Sequence, residues 1–198
     1  MGSKVISVEP FYDNIICIHK AANLGDFQES IILVNNALAD KPNVIKTLKK
    51  YEANIGGQSL VFDRDQVFLK KDPANKYLVE TVLVDDLLSL LPDDVINGAE
   101  RKKCIMKIDI EGFESLALHN ATKFFSVLDV QVIFMEWVWL QMHQFSAQQT
   151  EQMIQLFTRN GLHPVSNENK ELDINAWKTA NKWPGEIIWK KKHLSFNI

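Results

Sequence analysis

Hydrophobic and polar positions along the chain sort into short apolar runs and segments with helical spacing. "KVISVEP" (4–10) reads as a strand closed by Pro10, after which Phe11, Ile15, Ile18 and Ala22 recur on one face of a helix. "ESIILVNNAL" (29–38) is the next strand, and the polar "ADKPNVIKTLKKYEANIGGQ" (39–58) is an irregular excursion with a turn at Gly56-Gly57. "SLVFDRDQVFLKK" (59–71) has the pattern of a hairpin turning near Asp63 to Asp65, and "KYLVETVLV" (76–84) is a further extended run. In "DDLLSLLPDD" (85–94), Asp85 or Asp86 caps a short helix that Pro92 ends.

The second half repeats the alternation. "KCIMKIDI" (103–110) is a strand, "FESLALHNATKFF" (113–125) a helix, and "VQVIFMEW" (130–137), apolar on both faces, an interior strand of a parallel sheet covered by helices. Ser146 with Gln149 forms a capping box for a helix whose inner face is Met153, Leu156 and Phe157 and which stops at Gly161. "HPVSN" (163–167) and "GEIIWKKK" (185–192) are the last strands. The pattern predicts an α/β fold built on a mainly parallel sheet, in which ligands bind beyond the carboxyl ends of the strands. Polar groups at such ends are Glu9, Asn35-Asn36, Asp109 with Glu111, and Glu136.

Composition narrows the function classes. A chain of 198 residues is one domain long, and its 46% hydrophobic content is enough for a core without staples. The net charge of −3 argues against nucleic acid, so Lys190 to Lys192 are read as a solvated strand end. Cys17 and Cys104 are expected as reduced, buried thiols of a reducing compartment, the cytoplasm. No apolar run approaches the length of a membrane span, and the opening residues have no hydrophobic signal core. The five histidines show no paired ligand spacing, so no metal is expected.

The strand ends carry the chemistry. Glu9 is placed to accept hydrogen bonds from the ribose hydroxyls of an adenosine, although taken alone it reads first as a solvated loop acid before a proline. Asn36 and Ala37 have the shapes to flank an adenine ring, though a turn after a strand uses the same residues. In "KIDIEGFE" (107–114), Lys107, Asp109 and Glu111 alternate with Ile108 and Ile110, so three charges share one face while the strand lasts. Burying three charges costs several kcal/mol unless they pair or face a wet cleft, so packing alone does not explain them. Gly112 allows a sharp turn into the next helix, where Glu114 sits favourably in the first turn.

These residues also carry a resemblance. "KIDIEGFE" resembles the signature of the FkbM family of S-adenosylmethionine-dependent methyltransferases, a strand ending in Lys-Ile-Asp-Val/Ile-Glu-Gly with an acid two residues later. In the same order, "KVISVEP" is similar to the family's second strand, "VNNALAD" (34–40) to its third, "TVLVDDLL" (81–88) to its Thr-x-x-x-Asp segment and "VIFMEW" (132–137) to its acid-ended fifth. The likeness covers roughly residues 4 to 140 and is most specific in "KIDIEG". It implies a Rossmann-like methyltransferase sheet with helices on both faces, S-adenosylmethionine as cofactor, and methyl transfer to a hydroxyl of a small-molecule or carbohydrate acceptor. By carry-over Glu9 holds the ribose, Asn36 and Ala37 the adenine edge, and Asp109 the methionine portion or the substrate. Asp109 or Glu111 accepts the proton, with Glu136 behind them.

One departure stands out. The family's first strand ends in a loop of the type Asp-x-Gly-Ala-Asn-x-Gly, and "ANIGGQ" (53–58) has similar letters but follows the third strand. The expectation is a single partial domain over 1–198, truncated at its N-terminus, whose second and fourth strands lack the partner between them. Such a chain binds cofactor weakly and tends to aggregate. The alternative function is a catalytically inactive fragment acting as an interaction module, with Trp177, Trp183 and Trp189 either facing a partner or filling a core. A nicotinamide-dependent oxidoreductase shares the αβ alternation but needs a glycine-rich first loop and has no use for "KIDIEG".

Overall fold

The computed structural model describes residues 3–49, 57–61, 69–138, 147–179 and 182–194, in two compact units, 1–90 and 91–198. In the first unit the apolar run after Lys4 forms β1 (Val5–Val8), and Phe11 stands in extended backbone ahead of α1 (Tyr12–Leu24). The helical periodicity holds: Phe11 and Ala22 are buried, Ile15 and Ile18 half-buried. β2 (Ile31–Val34) lies parallel to β1, with Val5 opposite Ile31.

The second strand read from the sequence is two pieces. Beyond Asn35-Asn36 the chain enters a separate short strand, β3 (Ala37–Leu38), which runs parallel to β5 (Leu78–Val82). The polar stretch after it is not wholly irregular either. Ile45–Thr47 (β4) pairs antiparallel with β5, because Thr81 is buried and its hydroxyl ties the approach, donating to Lys41 O (2.6 Å) and accepting from Val44 N (3.0 Å). Leu60 bridges antiparallel to Leu48; the hairpin turn at Asp63 to Asp65 and the Gly56 half of the earlier turn lie outside the described residues. Asp86 lies inside the 3-10 turn over Asp85–Leu90 rather than ahead of it, and its carboxylate reaches back to accept from Leu83 N (2.8 Å), as the returning acid of a capping box does.

The second unit opens with α2 (Asp93–Ile96), which Pro92 precedes, and then builds a four-stranded sheet. Its strands are β6 (Lys103–Ile108), β7 (Asp129–Glu136), β8 (Leu162–Ser166) and β9 (Glu186–Lys191), in the order β6-β7-β9-β8. β6 and β7 are parallel, but β9 is antiparallel to both β7 and β8, so the sheets are mixed rather than mainly parallel. β8 and β9, joined through residues 167–185, pair antiparallel, with Leu162 opposite Lys191.

The helix expected over 113–125 is broken into α3 (Glu114–Leu118) and α4 (Thr122–Val127). Asn120 is a poor helix former, and the His119 ring sits against Ser115 O (3.1 Å) and Leu116 O (2.9 Å), competing for the helix's last carbonyls. α5 (Ala147–Arg159) buries Thr150, Met153, Ile154 and Phe157, while Leu156 is half-buried; it ends at Gly161, whose φ of 72° suits a left-handed stop. The capping Ser146 lies outside the described residues.

One sheet face carries Ile133, Met135, Ile187 and Trp189, all buried, and an aromatic chain joins it to the helices. Phe125 of α4 meets Phe157 of α5 at 5.6 Å, Phe157 meets Trp189 at 5.0 Å, and Trp183 links Trp189 to Trp137. Trp183 and Trp189 are therefore core, and Trp177 is half-buried. α3, α4 and α5 lie on this face; on the other, Val132, Val165 and Ile188 cluster with Leu194, and Phe134 (40%) and Ile105 (68%) are exposed. Nor is the lysine run a solvated end. Lys190 is buried and donates to Asn169 Oδ1 and Leu194 O, and Lys191 donates to Asn160 O; only Lys192 is exposed. Both cysteines are free, with Cys17 exposed rather than buried, and burial pushes the half-buried Cys104 thiol up to about 11.

Candidate functional site

Side chains along β6 alternate outward and inward until Ile108, which is buried, and there the chain leaves the sheet. The strand therefore ends at Ile108, two residues before its expected end at Ile110, so of Lys107, Asp109 and Glu111 only Lys107 lies on it, and a turn completes the group. Lys107 Nζ pairs with Asp109 Oδ2 at 3.0 Å, both side chains well exposed, so the charges are solvated and paired rather than buried. Glu111 and Gly112 both take left-handed backbone, with φ of 56° and 98°. That is ordinary for glycine but uphill for glutamate, and such outliers collect where a side chain has to be aimed.

β7 ends beside this turn. Because Ile108 is opposite Met135 in the parallel register, the next residue, Glu136, projects from the strand end level with Asp109. Asp109, Glu111 and Glu136 each bring a carboxylate oxygen into a group whose members lie within 4.8 Å of one another. Partial burial and then the charges of Asp109 and Glu111, with a hydrogen bond to Asp109, push the Glu136 carboxyl up to about 7. Burial and then the Asp109 charge raise Glu111 as well. Three carboxylates at this spacing have the hard oxygens a divalent cation takes, although acids as exposed as Asp109 assemble without one.

Behind the turn stands Glu114, the first residue of α3 and fully buried. Its Oε1 accepts from Ile110 N (3.0 Å) and Gly112 N (3.3 Å), while Oε2 is buried without a hydrogen-bond partner. Burial pushes this carboxyl up to about 7 against the pull of those backbone donors. The sequence places Glu114 only in a helix's first turn.

In the first unit Glu9 stands at the carboxyl end of β1, half-buried. Its Oε1 accepts from Phe11 N (2.7 Å), and its own carbonyl accepts from the Asn35 side chain. Asn36 donates its amide to Glu80 O (3.0 Å), leaving its side-chain oxygen to meet a donor, and Ala37 is buried at the start of β3. These groups fit an adenosine in part: a strand-end carboxylate for ribose hydroxyls and an amide oxygen suited to an exocyclic amine. Ala37 has almost no exposed surface.

The acids gather at the carboxyl ends of neighbouring parallel strands, where open α/β sheets bind their ligands. The methyltransferase FkbM domain model matches residues 1–163, and the chain belongs to that family of methyltransferases. No curated protein and no solved structure matches it. Among the described residues no helix is long and apolar enough to cross a membrane.

Proposed function

We propose that this chain is an S-adenosylmethionine-dependent O-methyltransferase acting on a hydroxyl of a small molecule or sugar. The observation that carries the reading is the gathering of Asp109, Glu111 and Glu136 within 4.8 Å at the ends of β6 and β7, in a chain of this family. The cofactor supplies an electrophilic methyl group. What the protein supplies is charge and proton handling. An alcohol is a weak nucleophile at neutral pH, and a carboxylate within hydrogen-bond reach takes its proton as attack proceeds. A base works best when its pKa lies near the working pH, and Glu136, held at about 7, meets that condition. Partial burial and then Asp109 and Glu111 hold Glu136 there, and the carboxylates also favour a cationic group beside them. Within the first unit by itself, Glu9 offers a carboxylate for a ribose and the Asn36 side-chain oxygen a partner for an adenine edge.

Conversion to S-adenosylhomocysteine, followed across a panel of hydroxylated sugars and small alcohols, tests the assignment. Glu136→Gln, Asp109→Asn and Glu111→Gln are compared with the wild type on whichever acceptor turns over. Loss of the base is expected to lower kcat by roughly 10²- to 10⁴-fold with a much smaller change in cofactor affinity. Unchanged turnover in all three contradicts the role. A partner-binding module without chemistry is favoured by one observation, the exposed Ile105 and Phe134 on the sheet's second face, and gains if no acceptor reacts.

A further inference from the structure

Glu114 is a carboxylate that the proposed chemistry does not use, and its burial needs a reason. An acid in a helix's first turn gains under about 1 kcal/mol from the helix dipole when it stays in water. Taking it out of water costs more than that, and α3 is only five residues long. A dipole role therefore explains an exposed Glu114, not a fully buried one.

The geometry of its partners supplies the reason. Ile110 N and Gly112 N, the two donors on Oε1, flank Glu111 in the chain, and Glu111 is the residue held at φ 56°. Without Glu114 these two N–H groups lose their acceptor, and the backbone bond across the turn, Phe113 N to Ile110 O, is long at 3.4 Å. A left-handed glutamate relaxes to ordinary backbone when the groups on either side are released. Its carboxylate would then leave Asp109 and Glu136.

We propose that Glu114 is a positioning residue, a buried clamp on the 110–112 turn that holds Glu111 beside Asp109 and Glu136. What the gathered acids then do rests on the methyl-transfer reading above; the clamp itself does not. Glu114 touches no reacting group in this assignment and acts through the backbone alone. Glutamine keeps an oxygen for the two N–H groups and is expected to preserve the turn, whereas alanine removes the acceptor.

The test uses the full chain and backbone amide spectra of Ile110 and Gly112, with Ile133 in the centre of the sheet as reference. In a Glu136→Gln background, used for every titration so that the other carboxyl held at about 7 beside this turn is removed, the Ile110 and Gly112 amide shifts are expected to move together, with a midpoint of about 7. In Glu114→Gln that shared midpoint disappears while both amides stay protected from exchange. In Glu114→Ala both exchange roughly ten- to hundred-fold faster while Ile133 is unchanged, the loss expected for a hydrogen bond to a charged acceptor. Wild-type exchange at both amides in Glu114→Ala, or the same midpoint persisting in Glu114→Gln, overturns the proposal. If alanine also exposes Ile133, the fold has failed and the glutamine titration decides. On a reacting acceptor, alanine is expected to lower kcat with cofactor affinity held within about three-fold, and glutamine to recover most of it. A wild type that turns over nothing counts against the methyl-transfer reading, while the amide exchange still decides the clamp.

Discussion

Glu114, Glu111 and Glu136 are all held above the ordinary glutamate range, and this has a definite sign for stability. A carboxyl with a raised folded-state pKa binds more protons folded than unfolded, so it makes stability fall as pH climbs from the unfolded value of 4.5 toward about 7. For Glu114, which is fully buried, the loss is at most roughly 3 kcal/mol. His163, whose pKa burial lowers, contributes the opposite slope near neutrality, so the comparison is between wild type and variant rather than along one curve. Between pH 5 and pH 8 the stability of Glu114→Gln relative to wild type is expected to rise by about 1 to 3 kcal/mol in urea unfolding. A difference that does not change with pH contradicts the burial cost. At this scale the sequence was partly legible. Alternation pointed to Asp109 and Glu111, but Glu136 ranked behind them because only strand pairing brings it alongside. The buried role of Glu114 depends on two backbone N–H groups that no side-chain pattern records.

Elements were readable where one face is apolar over enough residues. β1, β5, β6, β7 and α5 follow their hydrophobic periods, and the left-handed stop at Gly161 stands where glycine signals it. Elements defined by a partner were not. β4 is three residues, Ile-Lys-Thr, with no alternation to see, and it is a strand because β5 accepts it and Thr81 anchors its approach. The break between α3 and α4 likewise reflects a side chain competing with the backbone. The packing of α4, α5 and β9 meets at Phe157, fully buried between Phe125 and Trp189. Phe157→Ala is expected to cost about 3 to 5 kcal/mol in urea unfolding. A cost below about 1 kcal/mol would mean that these rings do not form a shared core.

For the whole molecule, the αβ alternation identified the fold class but not the mixture of strand directions, since an antiparallel β9 has the same apolar composition as a parallel strand. Each unit also has a strand with one partner: among the described residues β1 pairs with β2 alone, and β6 with β7 alone. Edge strands of this kind favour pairing with other chains, so binding is best measured on freshly separated monomer. The central claim is that the strand-end groups of this methyltransferase-family chain bind S-adenosylmethionine. Titration calorimetry with that cofactor, on the wild type and on Glu9→Ala, tests it most directly. Saturable binding in the wild type, weakened about ten-fold or more by the loss of the ribose carboxylate, is the predicted result. A folded wild type that gives no binding heat, or binding that Glu9→Ala leaves untouched, contradicts it.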